Sequence, residues 1–284
     1  MQISQPSWRV IPIPLFLFGD NWSLRFSVHM TSVVRTFLFY SFIIEEITMN
    51  LKDNGIFDLT SWKAISPPMG GDKQWKDGRS AMEFARYMTA HYPAMPKEIQ
   101  HVLANISISP TDFEWQAEYV TEFNKFGLGK GEGRNHDAFL FNSEIVIGIE
   151  AKADEPFGSE YIGDALKTAS KNKLCRIENM IRILFGNSHQ EYADLRYQLV
   201  TATTALLLEA KKRNVQKALF MVIVFKKNGY YSEIKIQKNE IDIQKFIAKT
   251  NGKACGDYYL IPTHFGNENR IDLYFCHFEI TVDE

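Results

Sequence analysis

The stretch HDAFLFNSEIVIGIEAKADEPFG, residues 136–158, contains a turn, two strand patterns and a row of ionisable groups. His136 to Phe141 and Glu144 to Lys152 read as strands on either side of Asn142 and Ser143, a pair of turn formers. With those two residues as the whole turn, Phe141 faces Glu144 and Asp137 faces Gly148. Side chains alternate along a strand, so Gly148, Glu150 and Lys152 share the face of Asp137, while Ile145, Ile147 and Ile149 line the other. Asp137 and Glu150 are then diagonal neighbours with Cβ atoms about 7 Å apart, near enough for both carboxylates to reach one ion. A three-residue turn would flip the parity and break this arrangement. Two carboxylates beside an open coordination position suit Mg²⁺, with Mn²⁺ as a substitute, because a hard ion keeps several waters and completes its shell with substrate phosphate. Such an ion lowers the pKa of its water and offsets charge on phosphorus. Lys152 beside it can orient or deprotonate that water and stabilise developing charge.

Upstream of this hairpin, Ser80 can cap a helix that carries Met82, Phe84, Ala85 and Met88 and ends near His91. A short helix with Ile99, Val102, Leu103 and Ile106 follows Pro96, and Phe113 to Phe123 reads as a first strand. Between the first two strands lies a loop with Gly127, Gly129, Gly131 and Gly133. It lacks the Lys-Ser/Thr of a phosphate-cradling P-loop, and its position lets Lys130 and Arg134 touch a backbone phosphate. Downstream, helices are predicted over Ser170 to Gly186 and Glu191 to Arg213, the first with Gly186 as its C-cap. Ala218 to Phe225 is apolar at every position and belongs in the middle of a sheet, covered on both faces. Asn228 and Gly229 are expected to turn the chain into a strand at Tyr231 to Ile236, and Tyr258 to Ile261 and Ile271 to Val282 read as further strands. The order predicts an α/β or α+β domain with a central mixed sheet flanked by helices and β-rich C-terminal additions.

The chain has 284 residues, 45% hydrophobic and 23% charged, with a formal charge of -2, which argues against wholesale disorder and against a polytopic membrane protein. Any polyanion binding must then come from a local patch. Lys167, Lys171, Lys173, Arg176 and Arg182, with Lys211, Lys212 and Arg213, form local basic stretches on two helices, read as solvated faces or as phosphate steering. Cys175, Cys255 and Cys276 match no zinc spacing and fit reduced thiols in a cytoplasmic protein. Residues 1–48 contain no lysine and no alanine and cluster aromatic side chains. They make a poor signal peptide, and the apolar run from Phe37 to Ile44 is too short to span a bilayer. The segment is read as an atypical N-terminal extension or misplaced start, with a targeting segment or a native core element as the other readings. Residues 49–284 form the expected single domain.

An aspartate on one strand followed by Glu150, Ala151 and Lys152 on the next resembles the PD-(D/E)xK signature of the restriction-endonuclease-like nucleases, whose core runs helix, three-strand meander, helix, strand. The element order over roughly residues 78–225 is similar to that core. The strings EAKADEPFG and RYQL, the latter with Arg196, Tyr197 and Gln198, also resemble a bacterial branch of the superfamily. One departure is His136, which stands where the signature has proline. The resemblance implies a Mg²⁺-dependent nuclease acting on DNA. Asp137 and Glu150 would hold the metal, Lys152 would position the attacking water and Gln198 would support the site. An upstream acid, Glu83 or Glu118, would complete the metal site, and Lys130, Arg134 and Arg196 would contact nucleic acid. Dimerisation is common among such nucleases, and a homodimer is a further expectation; no membrane association is expected. Asp154 and Glu155 could extend the metal site or cap the following loop. The other reading is a catalytically inactive relative that binds nucleic acid or protein through the same fold.

Overall fold

A computed structural model describes residues 49–129, 133–186, 189–227, 231–265 and 270–282. The described residues open with α1 (Leu59–Ile65), α2 (Ser80–His91) and α3 (Lys97–Asn105), followed by the strands β1 (Glu114–Thr121), β2 (Arg134–Phe141) and β3 (Ile145–Lys152). Three helices come next, α4 (Ile162–Lys167), α5 (Lys171–Phe185) and α6 (Tyr197–Lys212), and then β4 (Lys217–Lys226). The last elements are α7 (Glu233–Lys249), β5 (Lys253–Cys255), β6 (Tyr258–Ile261) and β7 (Asp272–Thr281). Seven strands form one sheet in the order β1-β2-β3-β4-β7-β6-β5. β1, β2 and β3 are an antiparallel meander, β3 and β4 are parallel, β4 and β7 are parallel, and β7, β6 and β5 are antiparallel. This is a mixed α/β architecture of the α+β kind.

The apolar run at β4 forms because both of its faces are covered. Ala218, Phe220 and Val222 pack with residues of α5, α6 and α7, whereas Leu219, Met221 and Ile223 pack with residues of α1, α2 and α3. α6 is buried along its length from Leu199 to Ala210, although three of those residues are threonines. Each hydroxyl finds a carbonyl on its own helix: Thr203 donates to Leu199 O at 2.8 Å, Thr204 to Val200 O at 2.8 Å and Thr201 to Gln198 O at 3.0 Å. Without those bonds each buried hydroxyl would cost about 1–3 kcal/mol. α5 begins and ends as the sequence predicts, with Ser170 accepting from Lys173 N–H and Gly186 in the left-handed region at φ 69°. Among the described residues no helix is long and apolar enough to cross a membrane.

Two expectations need correction. Tyr231 to Ile236 is not a strand: from Glu233 the chain is helical as α7. The alternating Ile234 and Ile236 suggested period two, yet Ile234 is 78% exposed, and the buried face of the helix is Asn239, Asp242, Ile243, Phe246 and Ile247 at helical spacing. The C-terminal part therefore adds a long helix as well as strands. The turn residues Asn228 and Gly229 lie outside the described residues. The second correction concerns the long helix expected over Glu191 to Arg213. Its first residues form a separate 3₁₀ turn, His189–Tyr192, and α6 itself starts at Tyr197.

Candidate functional site

The turn between β2 and β3 is longer than two residues. Asn142 N–H donates to Ile145 O at 3.1 Å, while Asn142 Oδ1 accepts from the amides of Glu144 and Ile145 at 2.8 and 3.0 Å. The first pair is therefore Phe141 with Val146, and Gly148 faces Phe139, not Asp137. Relative to the two-residue turn, β3 has slipped by two positions. A slip of two preserves which residues share a face. Gly148 has a reason of its own: a Cβ there would come within 3.1 Å of the His136 ring, which packs edge-on to Phe139 and Phe220.

The sheet then divides. β2 pairs with β3 only as far as Ala138 and Ile149, after which β2 follows β1 to the Thr121–Arg134 pair and β3 follows β4 to the Lys152–Val224 pair. Asp137 sits at the division, and its Oδ2 accepts the Ala151 amide at 2.7 Å, satisfying an N–H that has left the ladder. On β1, Ala117 pairs with Ala138 and Tyr119 with His136, while Glu118 between them has φ 50°. A glutamate in the left-handed region is an uncommon and strained conformation, of the kind that clusters at functional sites.

A cavity of about 540 Å³ lies at this division, and its walls include Glu118, Arg134, Asn135, Asp137, Glu150, Lys152 and Gln198. Lys73 and Arg79, from the segment leading into α2, and Ser80, its first residue, also line it. Glu150 is the hub. Its Oε1 accepts from Lys152 Nζ at 2.7 Å and from Gln198 Nε2 at 2.5 Å, and its Oε2 pairs with Arg134 Nη2. Asn135 Nδ2 donates to Glu118 Oε2 at 2.6 Å. Two acceptors in this wall, Gln198 Oε1 and Asn135 Oδ1, are buried with no partner among the described residues.

The charges at the site are not evenly matched. Burial and then the neighbouring Glu150 push the Asp137 carboxyl up to about 8. Burial likewise pushes Glu118 up to about 7. Burial alone would raise Glu150 as well, but Arg134 and Lys152 hold it below the ordinary glutamate range. Burial works against the charge on Lys152, and Glu150 and Asp137 outweigh it and hold the amine above the usual lysine value. Lys152 is therefore a cation at neutral pH, suited to orienting a nucleophile or stabilising negative charge rather than to taking a proton. His136 is neutral: burial lowers its pKa to about 3, and its Nε2 lies 3.2 Å from Ala202 O.

Asp137, Glu150, Lys152 and Gln198 thus converge on one cavity from β2, β3 and α6. Of the two candidate upstream acids, Glu118 lines the cavity and Glu83 does not. The Glu83 carboxylate is buried against α2, where it accepts from Gly78 N–H at 2.8 Å and pairs with Arg86 at 3.2 Å. Arg134 is in the wall, whereas Arg196 is withdrawn from the surface: it is 2% exposed, pairs with Asp242 at 2.6 Å and lies 3.9 Å above the Tyr161 ring. Lys130 lies outside the described residues. Glu155 reaches the cavity wall. Asp154 does not, because it accepts from Ser232 N–H at 2.8 Å and Lys235 Nζ at 2.7 Å, fastening the loop after β3 to the start of α7. Lys73 and Arg79 were not legible in the sequence as site residues, since nothing local distinguishes them from other loop cations.

The donors match a hard divalent cation in kind, being carboxylates supplemented by unpartnered amide oxygens. Among the described residues no group of three or more His, Cys, Asp or Glu side chains is placed to hold a metal ion. An ion here would rest on Asp137 and Glu150 and draw its other ligands from water and substrate.

A family model described as a domain of unknown function, DUF6946, matches residues 57–280. The chain belongs to the DUF6946 family. No curated protein and no solved structure matches it. The matched span begins just before α1 and ends one residue short of the end of β7, so it takes in the sheet up to that last residue and every residue that lines the cavity.

Proposed function

We propose that this DUF6946 domain is a Mg²⁺-dependent nuclease that hydrolyses phosphodiester bonds in DNA. The observation that carries the reading is the convergence of Asp137, Glu150, Lys152 and Gln198 on one polar cavity with Lys73, Arg79 and Arg134 in its walls. Asp137 and Glu150 would hold the ion, with Mn²⁺ as an alternative. When bound, it supplies positive charge to a phosphoryl oxygen and acidifies water. Lys152 contributes a fixed cation against the charge that develops on the phosphoryl group, in a pocket where exclusion of water strengthens it. Gln198 fixes the Glu150 carboxylate through Nε2 and leaves Oε1 for the nucleophilic water or another polar group. Lys73 and Arg79 in the cavity lining suit the phosphates of a bound strand. Free thiols at Cys175, Cys255 and Cys276 agree with a cytoplasmic setting.

One observation favours a non-catalytic, nucleic-acid- or protein-binding module: both Glu150 oxygens are already occupied by donors. The test is incubation of the purified protein with plasmid and single-stranded DNA in Mg²⁺, Mn²⁺ or EDTA, beside Lys152→Ala and Asp137→Ala. Metal-dependent cleavage that disappears in both variants supports the nuclease. Equal cleavage by wild type and Lys152→Ala removes the site, and no cleavage of any nucleic acid leaves the binding module.

A further inference from the structure

Positive charge in the cavity is concentrated on one carboxylate. Glu150 has Lys152, Arg134 and the Gln198 amide. Among the described residues neither Asp137 nor Glu118 has an ion-pair partner, although both line the same space. A divalent cation held by Asp137 and Glu150 must use a Glu150 oxygen. Oε1 already accepts two donors, from Lys152 and Gln198, whereas Oε2 has Arg134. Lys152 cannot easily yield, because its side chain is 6% exposed and its Nζ lies 5.4 Å from the centre of the Phe157 ring. Arg134 is more accessible, at 15% side-chain exposure, and its Nε is buried without a partner among the described residues. A guanidinium whose donors are not all used on a carboxylate gains from a phosphate, which it can bind through two parallel N–H bonds.

We propose that Arg134 is a resident counter-ion: a divalent cation displaces it from Glu150, and the freed guanidinium takes a phosphate of the substrate. This rests on the reading above that Asp137 and Glu150 receive the metal. The consequence is linkage. The Arg134–Glu150 pair opposes metal binding when no phosphate is present, and phosphate removes that opposition by giving Arg134 another partner. Metal and phosphate then tighten each other's binding by the same factor. Arg134 is a positioning residue in this scheme and its effect is visible without any bond being cut.

The experiment is calorimetric titration of Mn²⁺ into the full chain, with and without thymidine 5′-monophosphate, for wild type, Arg134→Gln, Arg134→Lys and Glu150→Gln. Wild type is expected to bind Mn²⁺ about fivefold or more tightly when the nucleotide is present, a coupling of ordinary size. Arg134→Gln is expected to bind Mn²⁺ about fivefold more tightly than wild type without nucleotide, and to lose the nucleotide effect, with Arg134→Lys between the two. If Glu150→Gln loses Mn²⁺ while both Arg134 variants match wild type, the counter-ion role is overturned and the metal site stands. If Glu150→Gln binds as wild type does, or none of the four proteins binds Mn²⁺, the metal site and the counter-ion role fall together.

Discussion

Two buried ionic clusters lie near one another and differ in what surrounds them. Arg196 and Asp242 are 1% and 2% exposed at their side chains and are enclosed by Tyr161, the Gly158 carbonyl and α7. Glu150 and Lys152 are almost as buried, at 4% and 6%, but their cluster forms part of the wall of a cavity that is also lined by Asp137 and Glu118, two acids with no ion-pair partner among the described residues. The first cluster joins α6 to α7, and its charges face each other. The second leaves charge and acceptors pointing into open space. Burial of charge by itself therefore says little about function; a chemical role is suggested when the remaining valence of the cluster is turned toward a volume that a ligand can enter.

The contrast breaks first at Arg196. Arg196→Met strands Asp242 in the interior and is expected to lower the free energy of unfolding by about 3–5 kcal/mol in urea titrations. Combining it with Asp242→Leu should recover much of that loss, and a deficit near zero for the single variant would show that the pair does not brace the fold. On the proposed nuclease reading, Lys152→Ala is expected to act on turnover instead, reducing DNA cleavage about 10²–10³-fold, equivalent to about 2.7–4 kcal/mol of transition-state stabilisation. Its unfolding free energy should fall less than that of Arg196→Met, since Arg134 and Gln198 still hold Glu150. A variant that unfolds while retaining specific activity would reverse the assignment.

Smaller effects sharpen the picture. Gly148→Ala places a methyl 3.1 Å from the His136 ring and is expected to cost about 1–3 kcal/mol of stability, measured by the same titrations. The smallest effect is on the pH profile. Asp137 titrates near 8 in the folded protein against an ordinary 3.8, so the folded state holds a proton that the unfolded chain releases. Stability from this group is present at low pH and declines as pH rises through that window. His136, lowered to about 3 from 6.5, contributes in the opposite sense only below about 6.5. Without metal, wild type should therefore lose thermal stability between about pH 6.5 and 8, and Asp137→Asn should flatten that slope. An unchanged slope in Asp137→Asn would place the titration elsewhere.

Much of this site was legible because strand parity tolerates error in steps of two. The two-residue turn placed Asp137 opposite Gly148, and the observed register puts Phe139 there, yet Asp137, Glu150 and Lys152 still meet. Gln198 and the cavity-facing role of Glu118 come through the resemblance to nucleases, which puts Glu83 slightly ahead of Glu118, whereas the cavity is lined by Glu118. Short-range pattern could not separate those two acids, because what distinguishes them is Gly78 and Arg86 closing on Glu83 and the left-handed backbone of Glu118 itself. Arg196 was misread because its partner, Asp242, lies on a helix that the alternation at Ile234 and Ile236 disguised. Once α7 is a helix, a buried acid on its inner face becomes visible, and a buried acid calls for a cation.

The pairing of β4 with β7 has a bearing on how the chain assembles. β4 is flanked by β3 along one edge and by β7 along the whole of the other, from Lys217 with Asp272 to Lys226 with Thr281. β7 is the last in chain order of the seven described strands, so among these strands the partner that closes the middle of the sheet is synthesised last. Until Ile271 and the residues after it have emerged, β4 presents an apolar ladder edge, the kind of surface that recruits wrong neighbours. The strand carrying Glu150 and Lys152 leans on that unfinished centre, which ties the moment at which the site takes shape to the arrival of the final strand.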